Sequence, residues 1–368
     1  MTVIQGAYGY SLAASRQPLT LRELLPLEPG LEEVVVQVAG CGVCHTDIGF
    51  AFGGAPTRHP LPLILGHEIT GRVVAAGEQA SKWLGRSVIV PAVIPCGVCP
   101  ACCAGRPTIC RRQFMPGNDG DGGFATHVRV PARGLCPVPE KLPAGVSLAM
   151  LSVVADAVTT PYEAIRRSGL CAEDVAVFVG VGGVGGFGVQ IAAAQGAAVV
   201  AIDIDPDRLD LAANHGASLV LDARANDLKS LKAAVRTFAK ESGRAGIGLK
   251  IFETSGAPAG QTVAFGLLDH GAYMAVVGFT SEPVPLRLSN LMAFDATAQG
   301  NWGCPPEHYP AALALVLEGR VALWPYVEPH ALDEAPVIFE AVARHAIQRR
   351  VILMPESDGQ AGNEETHR

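Results

Sequence analysis

Short runs of apolar, largely β-branched residues, each bounded by glycine or proline, recur through the first third of the chain. They are VVVQVA at 34–39, GRVVAA at 71–76, RSVIVPAV at 86–93 and FATHVRV at 124–130. β-Branched side chains pack well on a pleated surface, and the flanking glycines and prolines mark turns. This part of the sequence therefore predicts the strands of an all-β unit.

From about residue 147 onward, longer segments with helical periodicity alternate with short, fully apolar runs. The apolar runs lie at 175–180, 198–203, 217–221, 249–253 and 272–278. Helices that alternate with buried strands predict a parallel, doubly wound α/β sheet. A helix around 307–318 and a strand around 350–354 follow, and their pattern alone assigns them to neither unit. The polar segment 355–368 predicts a disordered tail.

Composition narrows the classes of function. The chain has 368 residues, 49% of them apolar, with 28 Lys and Arg against 35 Asp and Glu, giving a net charge of −7. These values exclude a disordered or fibrous protein and suggest two domains. The acidic balance, without clustered basic residues, argues against nucleic acid or a membrane surface as a partner. Because the sequence shows neither a signal-peptide pattern nor a long apolar run, we expect a cytoplasmic protein.

Ten cysteines are present, and five of them fall within residues 96–110. In a reducing compartment, such crowding favours metal thiolates over disulfides. Four of the five form a C-x2-C-x2-C-x7-C array: Cys96, Cys99, Cys102 and Cys110. Four thiolates give zinc a closed tetrahedral shell with no open position for substrate, so we predict a structural zinc. An iron–sulfur cluster is the alternative, although nothing else in the sequence indicates electron transfer.

A glycine-rich turn links the apolar run at 175–180 to an apolar helix. It places Gly180, Gly182, Gly183, Val184 and Gly185 in a G-x-G-x-x-G pattern. The glycines allow a tight turn and let backbone N–H groups approach a pyrophosphate. The alternative is a glycine-rich helix start that binds no nucleotide.

The strand after this motif ends in an acidic residue, Asp203, which lies 18 residues after Gly185. A carboxylate at this place can accept hydrogen bonds from an adenosine ribose, and its charge repels a 2′-phosphate. The sequence therefore favours NAD over NADP. Arg208, a few residues further on, could also meet a phosphate and weakens that preference slightly.

Two further motifs, GCGVCHTD at 40–47 and GHE at 66–68, precede the cysteine array and the glycine motif. In this order and spacing, the four motifs resemble those of the zinc-containing medium-chain alcohol dehydrogenases over essentially the whole chain. The resemblance implies a GroES-like β-barrel domain at 1–155 and 304–368, which carries the catalytic zinc. It implies a Rossmann NAD-binding domain at 156–303 between them.

The same resemblance implies a set of ligands for the catalytic zinc. Cys44 and His67 would bind the metal, Glu68 would be a carboxylate able to approach it, and Asp47 would orient the ligands. The third ligand of the family is usually a cysteine that opens a C-A-G-x-T-x-Y segment. Here the segment reads DAVTTPY, so Asp156 occupies the ligand position. The alternative is that the Asp156 carboxylate caps the helix that follows.

The family resemblance also implies metal-assisted hydride transfer between an alcohol and the nicotinamide. Thr46 would receive the hydroxyl proton, and His45 would lie near the cofactor pyrophosphate or the substrate entrance. Many family members end the proton relay at a histidine where this chain has Gly49. His45, a ribose hydroxyl or water would then have to complete the path.

Three residues of the later chain match cofactor contacts of the family. Val277 and Phe279 follow the last Rossmann strand, where backbone groups meet the nicotinamide. Arg350, in the segment QRRVIL, matches an arginine that contacts the cofactor phosphates, and its alternative is a surface salt bridge.

Substrate size is indicated by Ala92, four residues before Cys96, where many enzymes for small alcohols carry an aromatic ring. The smaller side chain favours a substrate larger than ethanol. Within the family, the resemblance is closest to members that oxidise a cyclic allylic alcohol held as a CoA thioester, 6-hydroxycyclohex-1-ene-1-carbonyl-CoA. It also implies a homodimer or homotetramer.

Three other interpretations remain open on the sequence. A general secondary-alcohol or polyol dehydrogenase would use the same site. A zinc-free quinone or enoyl reductase would lack the zinc ligands and the acidic residue at 203. A non-catalytic nucleotide-binding protein would hold only the four-sulfur zinc, so the zinc content of the chain separates these hypotheses.

Overall fold

The computed structural model describes residues 2–244 and 248–355. Its strands are β1 (Tyr8–Leu12), β2 (Leu19–Glu23), β3 (Glu33–Gly42), β4 (Leu63–Ile64), β5 (Glu68–Ala76), β6 (Ser87–Val90), β7 (His127–Pro131), β8 (Cys136–Pro137), β9 (Val175–Val179), β10 (Ala198–Asp203), β11 (Leu219–Asp222), β12 (Leu249–Glu253), β13 (Tyr273–Val276), β14 (Thr297–Gly300), β15 (Val327–Ala331) and β16 (Arg350–Met354). The predicted tail at 355–368 lies outside the described residues except for Pro355. The disorder of residues 355–368 therefore stays a prediction.

The α-helices connect these strands, mostly in the second half of the chain. They are α1 (His45–Ala51), α2 (Pro100–Cys103), α3 (Thr159–Ser168), α4 (Gly183–Ala194), α5 (Pro206–Asn214), α6 (Leu228–Glu241), α7 (Pro258–Gly266), α8 (Ser289–Phe294), α9 (Tyr309–Leu317) and α10 (Ala335–Ala343). Short 3-10 turns fill several connections, including Met150–Ala155 before α3. Among the described residues, none of the helices has the length and apolar character needed to cross a bilayer.

Seven strands form a largely antiparallel sheet in the order β15-β16-β3-β5-β6-β8, with β7 paired to β3. A smaller sheet, β2-β1-β4, packs beside it through a shared apolar core. The predicted strand near 350–354 is confirmed as β16, which pairs parallel to β15 and antiparallel to β3. The end of the chain thus returns to the sheet built by its first third. This return brings Arg350 beside the motifs at 40–47 and 66–68.

Six parallel strands form the second large sheet in the order β11-β10-β9-β12-β13-β14. Every residue of β9 is buried, because Val175, Val177 and Val179 face one apolar core while Ala176 and Phe178 face another. A sheet covered on both faces requires such continuous apolar strands. The predicted α/β fold with a doubly wound parallel sheet is confirmed.

Several predicted boundaries shift for identifiable reasons. The run at 86–93 gives a strand that ends at Val90, because Pro91 lacks the N–H that a sheet position needs. The run at 124–130 forms a strand at His127–Pro131, and the run at 272–278 one at Tyr273–Val276. The domain boundaries at 155/156 and 303/304 stay a prediction.

Gly71 provides a test of this packing. It lies on β5 opposite Val38, and a Cβ atom placed on it would lie 2.0 Å from the Gln37 carbonyl oxygen. We expect Gly71→Ala to push β5 away from β3 and to lower the free energy of unfolding by about 1–3 kcal/mol. Thermal and denaturant unfolding measure the change. Gly300→Ala is the matched control, since a Cβ there meets nothing within 4 Å; equal losses in both variants would contradict the expectation.

Candidate active site

The glycine-rich turn after β9 is shaped to receive a nucleotide. Gly180 has a φ of +87°, and a Cβ atom on Gly185 would lie 1.9 Å from the Gly180 carbonyl oxygen, so only glycine fits there. Gly182 precedes α4, whose first turn contains Gly183 and Val184 and has no side-chain cap. The free N–H groups of this helix end form an anion-binding site. The pyrophosphate position stays a prediction, which this geometry leaves room for.

Asp203 ends β10 beside this turn and is buried. Its Oδ2 accepts a hydrogen bond from the Val181 N–H (2.7 Å), and its Oδ1 accepts from the N–H groups of Ile204 (2.7 Å) and Asp205 (3.0 Å). The carboxylate thus fixes the glycine-rich turn relative to the next strand. Its position at the carboxyl end of a central strand is the one predicted for contact with an adenosine ribose.

Two arginines flank the same turn. The guanidinium of Arg208 lies 3.5 Å from the position of a Cβ on Gly182, and that of Arg350 lies 3.1 Å from the corresponding position on Gly183. The Nε atoms of both arginines are buried and have no hydrogen-bond partner among the described residues, although Arg208 Nε lies at an ion-pair distance of 3.8 Å from Asp205 Oδ2. Buried donors normally have a partner, so these two fit an anionic group bound at the turn.

The four cysteines of the predicted structural site converge as expected. Cys99 Sγ lies 3.5 Å from Cys102 Sγ and 3.7 Å from Cys110 Sγ. These separations are far above a disulfide bond of about 2.05 Å. They match the edges of a tetrahedron with zinc–sulfur bonds of about 2.3 Å, which are roughly 3.8 Å long. A hydrogen bond from the Val98 backbone lowers the pKa of Cys96 to about 6 and favours its thiolate, the form that binds metal.

A second group of ligand atoms forms around the start of α1. Cys44 is the N-cap of this helix, and its Sγ accepts from the Thr46 N–H (3.5 Å). Asp47 Oδ2 accepts from the Cys44 N–H (3.0 Å), while its Oδ1 accepts from the Gly66 N–H (3.1 Å) and lies 3.3 Å from His67 Nδ1. Asp47 thereby holds the backbone of Cys44 and the ring of His67, the first two predicted ligands. A carboxylate on Nδ1 leaves Nε2 free for a metal.

Asp156 completes this group from a distant part of the chain. Its Oδ2 lies 3.8 Å from Cys44 Sγ and 3.6 Å from His67 Nε2, close to the ligand separations of about 3.4–3.6 Å in a tetrahedral zinc site. Its Oδ1 accepts a hydrogen bond from Thr160 Oγ1. The capping alternative is wrong, because Val158 is the N-cap of α3 and no side chain caps that helix. The sequence analysis missed Thr160, although it belongs to the DAVTTPY segment.

The charges of this group attract a cation. Burial works against the charged form of His67, but the carboxylates of Asp47 and Asp156 outweigh it and raise the pKa of His67. Burial would likewise raise the pKa of Asp156, yet the hydrogen bond from His67 lowers it to about 2. One ligand atom each from Cys44, His67, Glu68 and Asp156 lies within 4.8 Å of the other three. Three acidic groups around one imidazole suit a divalent metal.

Glu68 is also engaged on its other side. Its Oε1 accepts from Arg350 Nη1 at 2.9 Å, and both side chains are buried. Burial raises the pKa of Glu68, and the charge of Arg350 opposes that rise and favours the carboxylate. Glu68 Oε2 has no hydrogen-bond partner among the described residues. The alternative interpretation of Arg350, a surface salt bridge, is wrong because its ion pair is buried.

His45 and Thr46 begin α1, directly after Cys44. The Thr46 hydroxyl oxygen is 3.6 Å from Cys44 Sγ. His45 is an exposed residue, and its ring stacks on that of His345 with ring centroids 5.7 Å apart. Desolvation, followed by the charges of Arg350, His345 and Arg208, lowers the pKa of His45 to about 4. No local pattern indicates a role for His345, because 300 residues separate it from His45.

The two remaining cofactor residues follow β13. The Val277 N–H donates to the Glu253 carbonyl (2.9 Å), which holds this segment at the end of the parallel sheet. Phe279 extends from there toward α1, where its Cε1 lies 4.0 Å from the position of a Cβ on Gly49. The aromatic ring therefore borders the space that a side chain at position 49 would occupy.

Comparisons with known proteins agree with this arrangement. Residues 30–140 match the family model described as alcohol dehydrogenase GroES-like domain, and residues 183–318 match the one described as zinc-binding dehydrogenase. An alcohol dehydrogenase of Rhizobium meliloti (strain 1021) is 31% identical over 343 residues, which cover 92% of this chain and 95% of that protein. The chain belongs to the zinc-binding medium-chain alcohol dehydrogenase family.

Two further comparisons concern this medium-chain dehydrogenase. The L-galactonate-5-dehydrogenase of Escherichia coli (strain K12) is 28% identical over 294 residues, covering 80% of this chain and 82% of that protein. The solved structure of acetophenone reductase from Geotrichum candidum NBRC 4597, in complex with NAD, is 25% identical with a TM-score of 0.82. That match covers 96% of this chain and 98% of the reductase.

Family membership confirms three expectations. The fold combines a GroES-like unit with a Rossmann-like unit, the protein is an oxidoreductase, and it is a zinc-binding dehydrogenase. The zinc-free reductase and the non-catalytic nucleotide-binding protein are therefore disfavoured, since both ligand groups are present in this medium-chain dehydrogenase.

The four-cysteine site can be tested within its own loop. We expect Cys102→Ser to remove about one zinc per chain and to lower the thermal midpoint, because the closed shell loses a thiolate. Metal analysis by plasma mass spectrometry and thermal unfolding measure both effects. Cys103→Ser is the control, since this neighbouring cysteine is exposed and lies outside the four-sulfur group. Equal zinc loss in the control would contradict the assignment.

Proposed function

We propose that this protein is a zinc-dependent, NAD-linked dehydrogenase of secondary alcohols. The observation that carries the proposal is the convergence of Cys44 Sγ, His67 Nε2 and Asp156 Oδ2, with Asp156 Oδ2 3.6–3.8 Å from the other two. Three protein ligands are typical of catalytic zinc, whereas the four cysteines form a closed structural site. Glu68, paired with Arg350, stays beside the metal as a carboxylate able to approach it.

A zinc ion bound there would supply a Lewis acid to the alcohol oxygen, and a bound nicotinamide would accept the hydride. The protein's own residues orient these groups and move the proton. Asp47 holds His67 through Nδ1, and Thr160 holds Asp156 through Oδ1. The Thr46 hydroxyl, next to Cys44 Sγ, is placed to take the alcohol proton. With its pKa lowered to about 4, His45 is neutral near pH 7, so it can pass that proton on toward solvent but does not hold it.

The proposed cofactor is NAD, with its pyrophosphate on the turn at Gly180–Gly185 and between Arg208 and Arg350. Asp203 would accept hydrogen bonds from the adenosine ribose and disfavour a 2′-phosphate. Backbone groups of Val277 and Phe279 would meet the nicotinamide end. The NAD complex of the related acetophenone reductase supports this choice.

The organisation of the protein is also a proposal. We infer a catalytic domain from 1–155 and 304–368, a Rossmann domain from 156–303, and a homodimer or homotetramer located in the cytoplasm. The support for the domains is that β15 and β16 join the sheet of β3, while the six parallel strands all lie between 175 and 300.

For the substrate we propose a cyclic secondary alcohol, with 6-hydroxycyclohex-1-ene-1-carbonyl-CoA as the specific candidate in the anaerobic degradation of aromatic compounds. Ala92 presents only a methyl group where a ring would narrow the pocket, which supports a substrate of this size. A polyol is the second candidate, and the relationship to an L-galactonate-5-dehydrogenase favours it.

The test combines zinc content with cofactor reduction. We expect about two zinc ions per chain. We also expect NAD to be reduced faster than NADP, and the CoA ester to be oxidised faster than small aliphatic alcohols or polyols. Absorbance at 340 nm follows the reaction across this panel. An inert CoA ester with an active polyol would overturn the substrate alone. Reduction of neither cofactor by any alcohol would overturn the proposed function.

Asp156 allows a sharper test of the catalytic zinc. We expect Asp156→Ala to lose about one zinc per chain and at least about 100-fold of activity, because the metal loses a charged ligand. Asp156→Cys is the matched variant, since a thiolate supplies the same charge. We expect it to keep the zinc bound with Cys44 and His67, here called the second zinc. Metal analysis and steady-state kinetics measure both. Full activity in Asp156→Ala would exclude Asp156 as a ligand.

A further inference from the structure

Tyr309 lies outside every motif of the sequence, yet its side chain reaches the loop that carries Asp156. It begins α9 and is 1% exposed, among the largest fully buried side chains of the described residues. Its hydroxyl donates a hydrogen bond to the Ala155 carbonyl (2.5 Å) and accepts one from the Ala92 N–H (3.1 Å). One phenol thus joins three segments that are far apart in the sequence.

The Ala155 carbonyl belongs to the peptide that leads directly into Asp156. Ala155 ends a 3-10 turn, where a carbonyl has no partner within the helix. It is held instead by the hydroxyls of Tyr309 and Thr159, the second at 3.2 Å. The Asp156 carbonyl accepts from the Thr160 N–H (2.7 Å). The backbone is therefore fixed on both sides of the proposed ligand.

This restraint matters more for an aspartate than for a cysteine. A carboxylate oxygen is separated from the backbone by one more rotatable bond than a thiolate sulfur, so its position depends more strongly on how the backbone is held. Thr160 restrains the carboxylate itself, and Tyr309 restrains the peptide before it. Burial raises the pKa of Tyr309, so its hydroxyl stays protonated and able to donate.

The second bond of Tyr309 holds a different segment, the one that contains Ala92. Ala92 follows the end of β6 and lies between Pro91 and the four-cysteine loop, so its buried N–H has no sheet partner. The phenol oxygen replaces that partner. One side chain thus bridges the Asp156 loop and the segment of Ala92, and it also begins α9.

We propose that Tyr309 is a positioning residue that sets the geometry of the Asp156 ligand through Ala155. The inference rests on the proposed function, because it assumes a metal held by Cys44, His67 and Asp156. Tyr309 touches neither substrate nor cofactor. Its effect is on the affinity of the metal and on turnover.

The experiment measures metal affinity directly. Wild type and Tyr309→Phe are stripped of the more weakly held metal and titrated with zinc in competition with a chelating indicator. We expect the variant to bind the second zinc about 10–100-fold more weakly, as for other residues that orient metal ligands. The four-cysteine zinc should remain, which shows that the variant is folded. We also expect kcat to fall while KM for NAD is unchanged.

Tyr326→Phe is the matched control. Tyr326 is also buried, and its hydroxyl donates to the Leu211 carbonyl (3.4 Å) rather than to a ligand loop. Its zinc affinity should equal that of wild type. Unchanged affinity in Tyr309→Phe, or an equal loss in Tyr326→Phe, would overturn the inference.

Two further results distinguish a failure of this inference from a variant that does not fold and from a failure of the proposed function. If Tyr309→Phe does not fold, Thr159→Val removes the other hydroxyl from the Ala155 carbonyl, and weaker binding of the second zinc is again expected. Unchanged affinity there would overturn the inference. A wild type that takes up only one zinc would instead contradict the proposed function, and this inference would fall with it.

Discussion

The buried ion pair between Glu68 and Arg350 connects the parts of this site. Glu68 begins β5 next to His67, and Arg350 begins β16, near the end of the described chain. The same guanidinium donates to the Val43 carbonyl (3.2 Å), beside Cys44, and its Nε faces the glycine-rich turn at Gly183. Because an unpaired buried charge costs several kcal/mol, typically about 3–5, neither partner can move away alone. The metal ligands and the nucleotide turn are therefore held in one arrangement.

This pair also balances the charge of the ligand group. Cys44, Asp47, Glu68 and Asp156 would concentrate negative charge in a buried space if only His67 opposed them. The charge of Arg350 lowers the pKa of Asp156 and opposes the rise that burial causes in the pKa of Glu68. The buried Nε atoms of Arg350 and Arg208 lie beside the glycine-rich turn and have no hydrogen-bond partner among the described residues. One arginine thus serves both an anionic cluster and an anion-binding turn, which couples them electrostatically.

The sequence was most informative where local chemistry requires fixed spacing. The glycine-rich turn and the four-cysteine loop each lie within about a dozen residues, so their geometry follows from turns and ligand types. Strands with continuous apolar runs, such as β9, were equally recognisable. Two other strands lack that pattern. β4 has only two residues, and β14 is mostly exposed and polar, so neither shows a hydrophobic periodicity. Contacts across hundreds of residues, such as His45 with His345, have no local signal at all.

Asp156 shows how the two kinds of information combine. The DAVTTPY segment indicated a ligand but left a helix cap as the alternative, because both roles suit a carboxylate before a helix. Only the tertiary structure separates them, through Cys44 Sγ and His67 Nε2 on one side and Thr160 on the other. A carboxylate keeps the formal charge of the thiolate usual at this position but is a harder donor with an additional torsion. The surrounding hydroxyl groups are the means by which such a ligand can be held as firmly as a cysteine.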